Sequence, residues 1–269
     1  MKITQKGHSN IKDVDFNNLK FGATFSDHML ICKHKDGKWG EPEIKPYQPI
    51  NMMPGTQALH YGQSVFEGMK AFKSREGKVL LFREEDNFNR LNKSAKRICI
   101  PEIPKDIFMD GLHEILNLDS EWVKQGDNFS LYIRPFIFAS GQCIKATISD
   151  EYTFMIICSP TTTYYKGEMN VKIEQEYTRA VKGGTGSVKA AGNYAASFYP
   201  TKLAREEGFS QIIWTDAENH EYLEEAGTMN IWLRIGEKLI TPNLGETILG
   251  GITRDSIVQL AKDMGIEVQ

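Results

Sequence analysis

The chain has 269 residues, 41% of them hydrophobic and 25% charged. That apolar content can offset the entropy of ordering, so a disordered chain is excluded and one large or two medium domains are expected. The 32 Lys and Arg against 35 Asp and Glu give a formal charge of −3, which lacks the basic footprint of nucleic-acid binding.

In chain order, strand-like runs cover 24–33, 79–82, 131–138 and 152–158. Each is rich in β-branched or aromatic residues and ends in charge, Gly or Pro. The last contains the most apolar short run, Phe154 to Cys158, far below the roughly 18 residues of a helical membrane span. Met1 to His8 hold no apolar signal core, so neither membrane nor secretion is expected. A helix is expected over 86–97. A second is expected over 105–124, where Ile107, Gly111, Leu112, Ile115, Leu118 and Trp122 recur at helical spacing.

Ser159 to Gly167 combine Pro, Gly and a threonine run, which suits a connector. The expected division is a small N-terminal α/β domain over 1–158, an interdomain linker over 159–170 and a large domain over 171–269. Beyond the linker, strands are expected over 171–178, 211–215 and 229–234, and helices over 194–207 and 253–264. Ile257, Leu260, Ala261 and Met264 form one apolar stripe on the last helix. Mixed strands and helices in two blocks give an α+β or α/β two-domain architecture.

Cys32, Cys99, Cys143 and Cys158 show no C-x-x-C spacing, which argues against a zinc ribbon or thioredoxin-like chemistry. Reduced thiols and a cytoplasmic location are expected instead. The six histidines form no ligand pair at helical spacing, and no metal site is expected.

Four local features stand out. Lys189 sits amid small residues in Gly183-Gly184-Thr185-Gly186-Ser187-Val188-Lys189-Ala190-Ala191-Gly192-Asn193-Tyr194. Small neighbours leave room for a bulky group beside the amine; a solvated lysine in a loop is the plain alternative. Gly250-Gly251 run into an amphipathic helix, where backbone N–H groups suit a phosphate. The alternative there is an ordinary helix entry with Thr253 as N-cap. In Leu131-Tyr132-Ile133-Arg134-Pro135-Phe136, alternation places Tyr132, Arg134 and Phe136 on one strand face. Arg134 could hold a carboxylate there, or pack over the rings as a surface residue. The fourth feature, Tyr61 to Phe72, crowds aromatics, Met and Gly and by itself reads as core packing around a turn.

Read in order, these segments resemble the branched-chain amino acid aminotransferases. The matching stretches are Phe21 to Met29, Phe66-Glu67-Gly68-Met69-Lys70-Ala71-Phe72, Tyr132-Ile133-Arg134-Pro135, Lys189 to Tyr194, Glu225-Ala226-Gly227-Thr228-Met229-Asn230 and Gly251-Ile252-Thr253-Arg254. The resemblance implies a pyridoxal 5'-phosphate (PLP) enzyme of fold type IV, acting as a homodimer on branched-chain amino acids and 2-oxoglutarate. It implies that Lys189 carries the cofactor covalently, that Tyr194 bonds its phenolic oxygen and that Glu225 pairs with its ring nitrogen. It further implies Arg90 and the backbone of Ile252 and Thr253 on the phosphate, and Thr228 as another cofactor-side contact. Phe25, Tyr61, Phe66, Tyr132 and Arg134 resemble the substrate-pocket wall.

Such a chemistry has requirements that these residue types meet. A free lysine is protonated at neutral pH. Desolvation or a nearby cation releases its amine, which can then attack an aldehyde and serve as base and acid at Cα. The alternatives are another type IV enzyme, such as a D-amino acid aminotransferase or aminodeoxychorismate lyase, and a non-catalytic PLP-binding homologue. Members of the family continue for several tens of residues beyond the point matching Gln269, so a chain truncated at its C-terminus is expected.

Overall fold

The computed structural model of the chain describes residues 1–162 and 167–269. They fall into two compact units, Met1–Lys166 and Gly167–Gln269.

The first unit contains β1 (Lys2–Ile3), β2 (His28–Lys35), β3 (Lys38–Trp39), β4 (Glu43–Pro46), α1 (Gln57–Tyr61), β5 (Ser64–Phe66), β6 (Met69–Lys73), β7 (Val79–Leu80), α2 (Glu84–Arg97), α3 (Lys105–Leu118), β8 (Ser130–Ala139) and β9 (Tyr152–Thr161). Among the described residues nine strands share one sheet, in the order β1-β4-β2-β9-β8-β6-β7, with β3 on β2 and β5 on β8. Only β1 with β4 is parallel. The long pair is β8 and β9, in register from Ser130 opposite Thr161 to Ala139 opposite Tyr152. On β8, Leu131, Ile133 and Pro135 are buried, while Tyr132, Arg134 and Phe136 are half-buried on the other face, as a period of two requires. The strand expected over 152–158 continues through Thr161 because residues 159–161 pair with Ser130–Tyr132. Residues 163–166 of the expected linker lie outside the described residues.

Leu91 and Ala95 of α2 and Ile107, Phe108, Leu112 and Ile115 of α3 form one buried cluster with Leu30, Phe154 and Ile156 of the sheet. A Cβ on Gly111 would overlap Leu30 Cδ1, so glycine lets α3 approach β2. The helix expected over 105–124 ends at Leu118 and gives way to a 3-10 turn over Ser120–Trp122. The cause lies in the next residue. The Asp119 carboxylate accepts the His28 backbone N–H at 3.1 Å and lies 2.6 Å from His28 Nδ1, while the Trp122 indole donates to Asp27 at 2.7 Å. These bonds bend the chain toward the start of β2.

The second unit contains β10 (Val171–Ile173), α4 (Ala191–Glu206), β11 (Gln211–Thr215), β12 (Leu223–Ala226), β13 (Leu233–Ile235), β14 (Lys238–Ile240) and α5 (Ile252–Asp263). β10 and β11 are parallel, and β12 runs antiparallel to β11. β13 and β14 form a separate hairpin. Ala204 of α4 packs on Ile212 and Trp214 of β11. The strand expected over 171–178 stops at Ile173 because the Glu174 carboxylate turns back to accept the N–H groups of Gln175, Glu176 and Tyr177. The strand expected over 229–234 is found at Leu233–Ile235. The N-cap of α5 is Gly251, so Thr253 lies inside the first turn and is not the cap. Of the expected apolar stripe, Ala261 is buried, whereas Leu260 and Met264 are exposed. Among the described residues no helix is long and apolar enough to cross a membrane.

Candidate active site

In the second unit, Lys189 precedes α4 by two residues, between the buried Val188 and Ala190. Its Nζ donates to the Tyr194 hydroxyl at 2.9 Å and lies 5.3 Å from the centre of that ring. Asn193, in the first turn of α4, fixes the loop that carries the lysine. Its Nδ2 donates to the carbonyls of Thr185 and Val188 at 2.8 and 2.9 Å, and its Oδ1 accepts from the Thr185 hydroxyl at 2.6 Å. The small residues before Lys189 serve packing as well as space. A Cβ on Gly186 would overlap Ala180 and come within 2.6 Å of the Thr247 carbonyl oxygen.

Glu225, on β12, is 5% exposed. Its Oε2 accepts the Leu249 N–H at 3.1 Å and Asn230 Nδ2 at 3.2 Å, and its Oε1 is paired with Arg179. Burial pushes the carboxyl up to about 7, against the pull of Arg179, the Leu249 N–H and Lys189; Glu224 adds to the rise. Asn230 Nδ2 also donates to the Leu249 carbonyl at 2.9 Å, which ties β12 to the entry of α5. Ile252 and Thr253 open that helix, where first-turn N–H groups point out of the helix end. Thr228 is exposed in the bend after β12. One unit thus assembles the lysine, the tyrosine, the buried carboxylate and the helix start. Arg179, Asn193 and Asn230 belong to the same network. Asn193 and Asn230 lie inside the motifs that carry the resemblance, whereas Arg179 carries no sequence signal.

In the first unit, Arg90 of α2 meets the fully buried Glu67. Nε and Nη2 donate to its two carboxylate oxygens at 2.7 and 2.8 Å. Asn87 Nδ2 and the Gly68 N–H complete that carboxylate's shell at 2.7 and 3.2 Å. Phe66, Tyr132 and Arg134 come together as one cluster. Arg134 Nη2 donates to the Tyr132 hydroxyl at 2.8 Å, and the guanidinium lies 4.4 Å from the Phe66 ring centre and 5.3 Å from that of Tyr132. Phe21 meets Tyr132 edge-on at 5.0 Å. Arg134 Nε is buried with no partner among the described residues. Phe25 makes a different contact, stacking on Tyr47 at 4.6 Å. The Tyr61 hydroxyl donates to the Ile144 carbonyl. Among the described residues no three His, Cys, Asp or Glu side chains are grouped as a metal ion would need.

Comparison with known proteins adds relatives to this geometry. A family model for the class IV amino-transferases matches residues 64–269. Branched-chain-amino-acid aminotransferase 2 of Bacillus subtilis (strain 168) is 45% identical over an alignment of 258 residues that covers 94% of this chain and 71% of that protein. Among solved structures, the branched-chain amino acid aminotransferase of Escherichia coli superposes with a TM-score of 0.74 at 28% identity, covering 90% of this chain and 76% of that one. The enzyme of the same name from Thermobaculum terrenum, solved in its PLP form, shares the fold with a TM-score of 0.74 at 22% identity, over 89% of this chain and 75% of that one.

Proposed function

The chain belongs to the class IV aminotransferases and, among them, to the branched-chain-amino-acid aminotransferases, with the fold type IV architecture of that family, and from that premise we propose that it exchanges amino groups between L-leucine, L-isoleucine or L-valine and 2-oxoglutarate with PLP as its cofactor. The observation that carries this reading is the grouping of Lys189, Tyr194, the buried Glu225 and the start of α5 in one unit. The donor set fits PLP: an amine for its aldehyde, a hydroxyl for its phenolic oxygen, a buried carboxylate for its ring nitrogen and a helix start for its phosphate.

When bound, the cofactor supplies an aldehyde that holds the amino group and a ring that draws electron density from the substrate's Cα. The protein does the rest. Lys189 holds the cofactor, and its released amine takes the Cα proton and returns it. Tyr194, bonded to Lys189 Nζ at 2.9 Å, orients that amine. Glu225 keeps a proton on the ring nitrogen, and its burial makes this charge interaction strong. Thr228 adds a polar contact on the cofactor's side. The N–H groups of Ile252 and Thr253 bind the phosphate; within the first unit, Arg90, which the family resemblance also gives to the phosphate, is oriented by both oxygens of Glu67.

The substrate's side chain meets Phe25, Tyr61, Phe66 and Tyr132. The unpartnered Nε of Arg134 is a donor suited to the second carboxylate of 2-oxoglutarate. One methylene is worth only about 1–3 kcal/mol in such a pocket, so all three branched side chains are accepted. The active form is a homodimer, a reading supported by the exposed apolar side chains of Leu59, Tyr61 and Ile144. It resides in the cytoplasm, consistent with four unpaired cysteines.

Purified protein given L-leucine and 2-oxoglutarate should form L-glutamate and turn over D-alanine far more slowly. The reverse preference would move it to the D-amino acid aminotransferases. Bound cofactor whose absorbance ignores L-leucine would make it a non-catalytic homologue.

A further inference from the structure

Arg179 has 8% side-chain exposure and touches three pieces of the second unit. Its Nη1 donates to the Thr247 carbonyl at 3.0 Å, and its Nη2 donates to the Gly186 carbonyl at 2.9 Å and pairs with Glu225. Gly186 belongs to the loop that leads to Lys189. Thr247 belongs to the segment that leads to α5. Glu225 sits on β12. These three pieces carry the proposed cofactor contacts. Thr247 is also held from its other side, since its hydroxyl donates to the buried Glu224 at 2.5 Å.

The groups that face Glu225 have distinct charges. Arg179 and Lys189 are cations, Glu224 on the same strand is an acid, and the Leu249 N–H and the Asn230 amide are neutral donors. A buried carboxylate needs a compensating charge to stay ionised. Lys189 is a poor source, because a lysine that acts as a base gives up its proton. A guanidinium keeps its charge at every relevant pH and presents a rigid fork of donors. Arg179 therefore supplies the fixed positive charge in this set.

We propose that Arg179 is a positioning residue for the transamination: its guanidinium favours the ionised form of Glu225 and ties that carboxylate to the loop before Lys189 and to the segment before α5. It touches no reacting atom and acts through Glu225. The inference rests on the assignment of Glu225 to the ring nitrogen.

The test follows the Glu225 carboxyl by 13C NMR in the full chain, its resonance identified by loss in Glu225→Gln. The midpoint, about 7 in the unaltered protein, should rise by about one unit or more in Arg179→Met. It should rise less in Arg179→Lys, which keeps the charge but loses the fork. In the holoenzyme, on the acid side of the carboxyl midpoint, Arg179→Met should lower kcat for L-leucine by about fivefold or more, with a smaller change in KM, since a one-unit rise there cuts the ionised fraction by nearly tenfold. The deficit should shrink as pH rises, and in a Glu225→Gln background the substitution should cause no displacement of the pH profile.

An unmoved carboxyl midpoint, or a kcat loss equal at every pH, overturns the proposal. Should Arg179→Met fail to fold, Arg179→Lys decides, because its midpoint must still lie above that of the unaltered protein. A Glu225→Gln enzyme with unchanged turnover overturns the assignment of Glu225 itself, whatever Arg179 does.

Discussion

Glu67 is a carboxylate with no exposed side-chain surface, held by Arg90, Asn87 and the Gly68 N–H. Breaking a buried pair from one side leaves an uncompensated charge, at a cost of about 3–5 kcal/mol. Glu67→Gln should therefore lower the urea midpoint by about that amount of stability and loosen Arg90 from its place in the same variant. Glu225→Gln should act differently, because the role proposed for Glu225 lies in the reaction. It should slow Cα proton removal, read as loss of substrate 2H exchange, more than it weakens cofactor retention. Lys189, Tyr194 and Glu225 are legible in the sequence because small residues and motif context mark them. Arg179 is not legible. Its importance comes from contacts with residues 186, 225 and 247, distant in sequence, and no local pattern records them. Glu67 lies inside a motif segment, but its pairing with Arg90 becomes visible only when α2 crosses the strand end.

At the scale of elements, α3 rests on β2 through Gly111. Gly111→Ala would push a methyl into the fully buried Leu30. Overpacking of this kind costs about 1–3 kcal/mol, more than the helix propensity gained from alanine, about 1 kcal/mol. A fall in the urea midpoint at unchanged m-value is the expected result. The start of β2 carries a second contact set, centred on Asp27. Burial works against its ionisation, but the Ser9 hydroxyl, the Asn10 N–H, the Trp122 indole and Lys6 outweigh it and hold the carboxyl down at about 2.

A carboxylate with a depressed pKa stabilises the fold fully above its unfolded value and loses that contribution as pH falls through the folded one. Asp27→Asn should therefore cost about 2 kcal/mol at neutral pH, a difference that starts to narrow below about pH 4 and closes as pH falls through about 2. The freed 6–11 segment should exchange its amide hydrogens faster. The strands β8, β9 and β11 are legible from residue composition and turn signals, and the helices α2, α4 and α5 from helical patterns. β12 was not, because Leu-Glu-Glu-Ala has no strand-like composition and is held by its ladder to β11. The ends of α3 and β10 were also hidden, since Asp119 and Glu174 end them through side-chain bonds that no periodicity encodes.

For the whole molecule, the two blocks of mixed strands and helices were readable from composition and turn signals, and the structure divides into two units. The antiparallel core of the first unit depends on pairings between strands far apart in sequence, such as β2 with β9. These follow from the fold and not from local pattern. The chain spans 71% of the length of its Bacillus subtilis relative at 45% identity, with the proposed lysine, tyrosine, carboxylate and helix start all inside the described residues. The claim that joins sequence, fold and activity is that Lys189 carries PLP. Intact mass and peptide mapping after borohydride reduction test it directly. The account predicts a gain of one cofactor per chain, mapped to Lys189 and missing in Lys189→Ala. Attachment at another lysine, or no attachment in protein that turns over L-leucine, would contradict it.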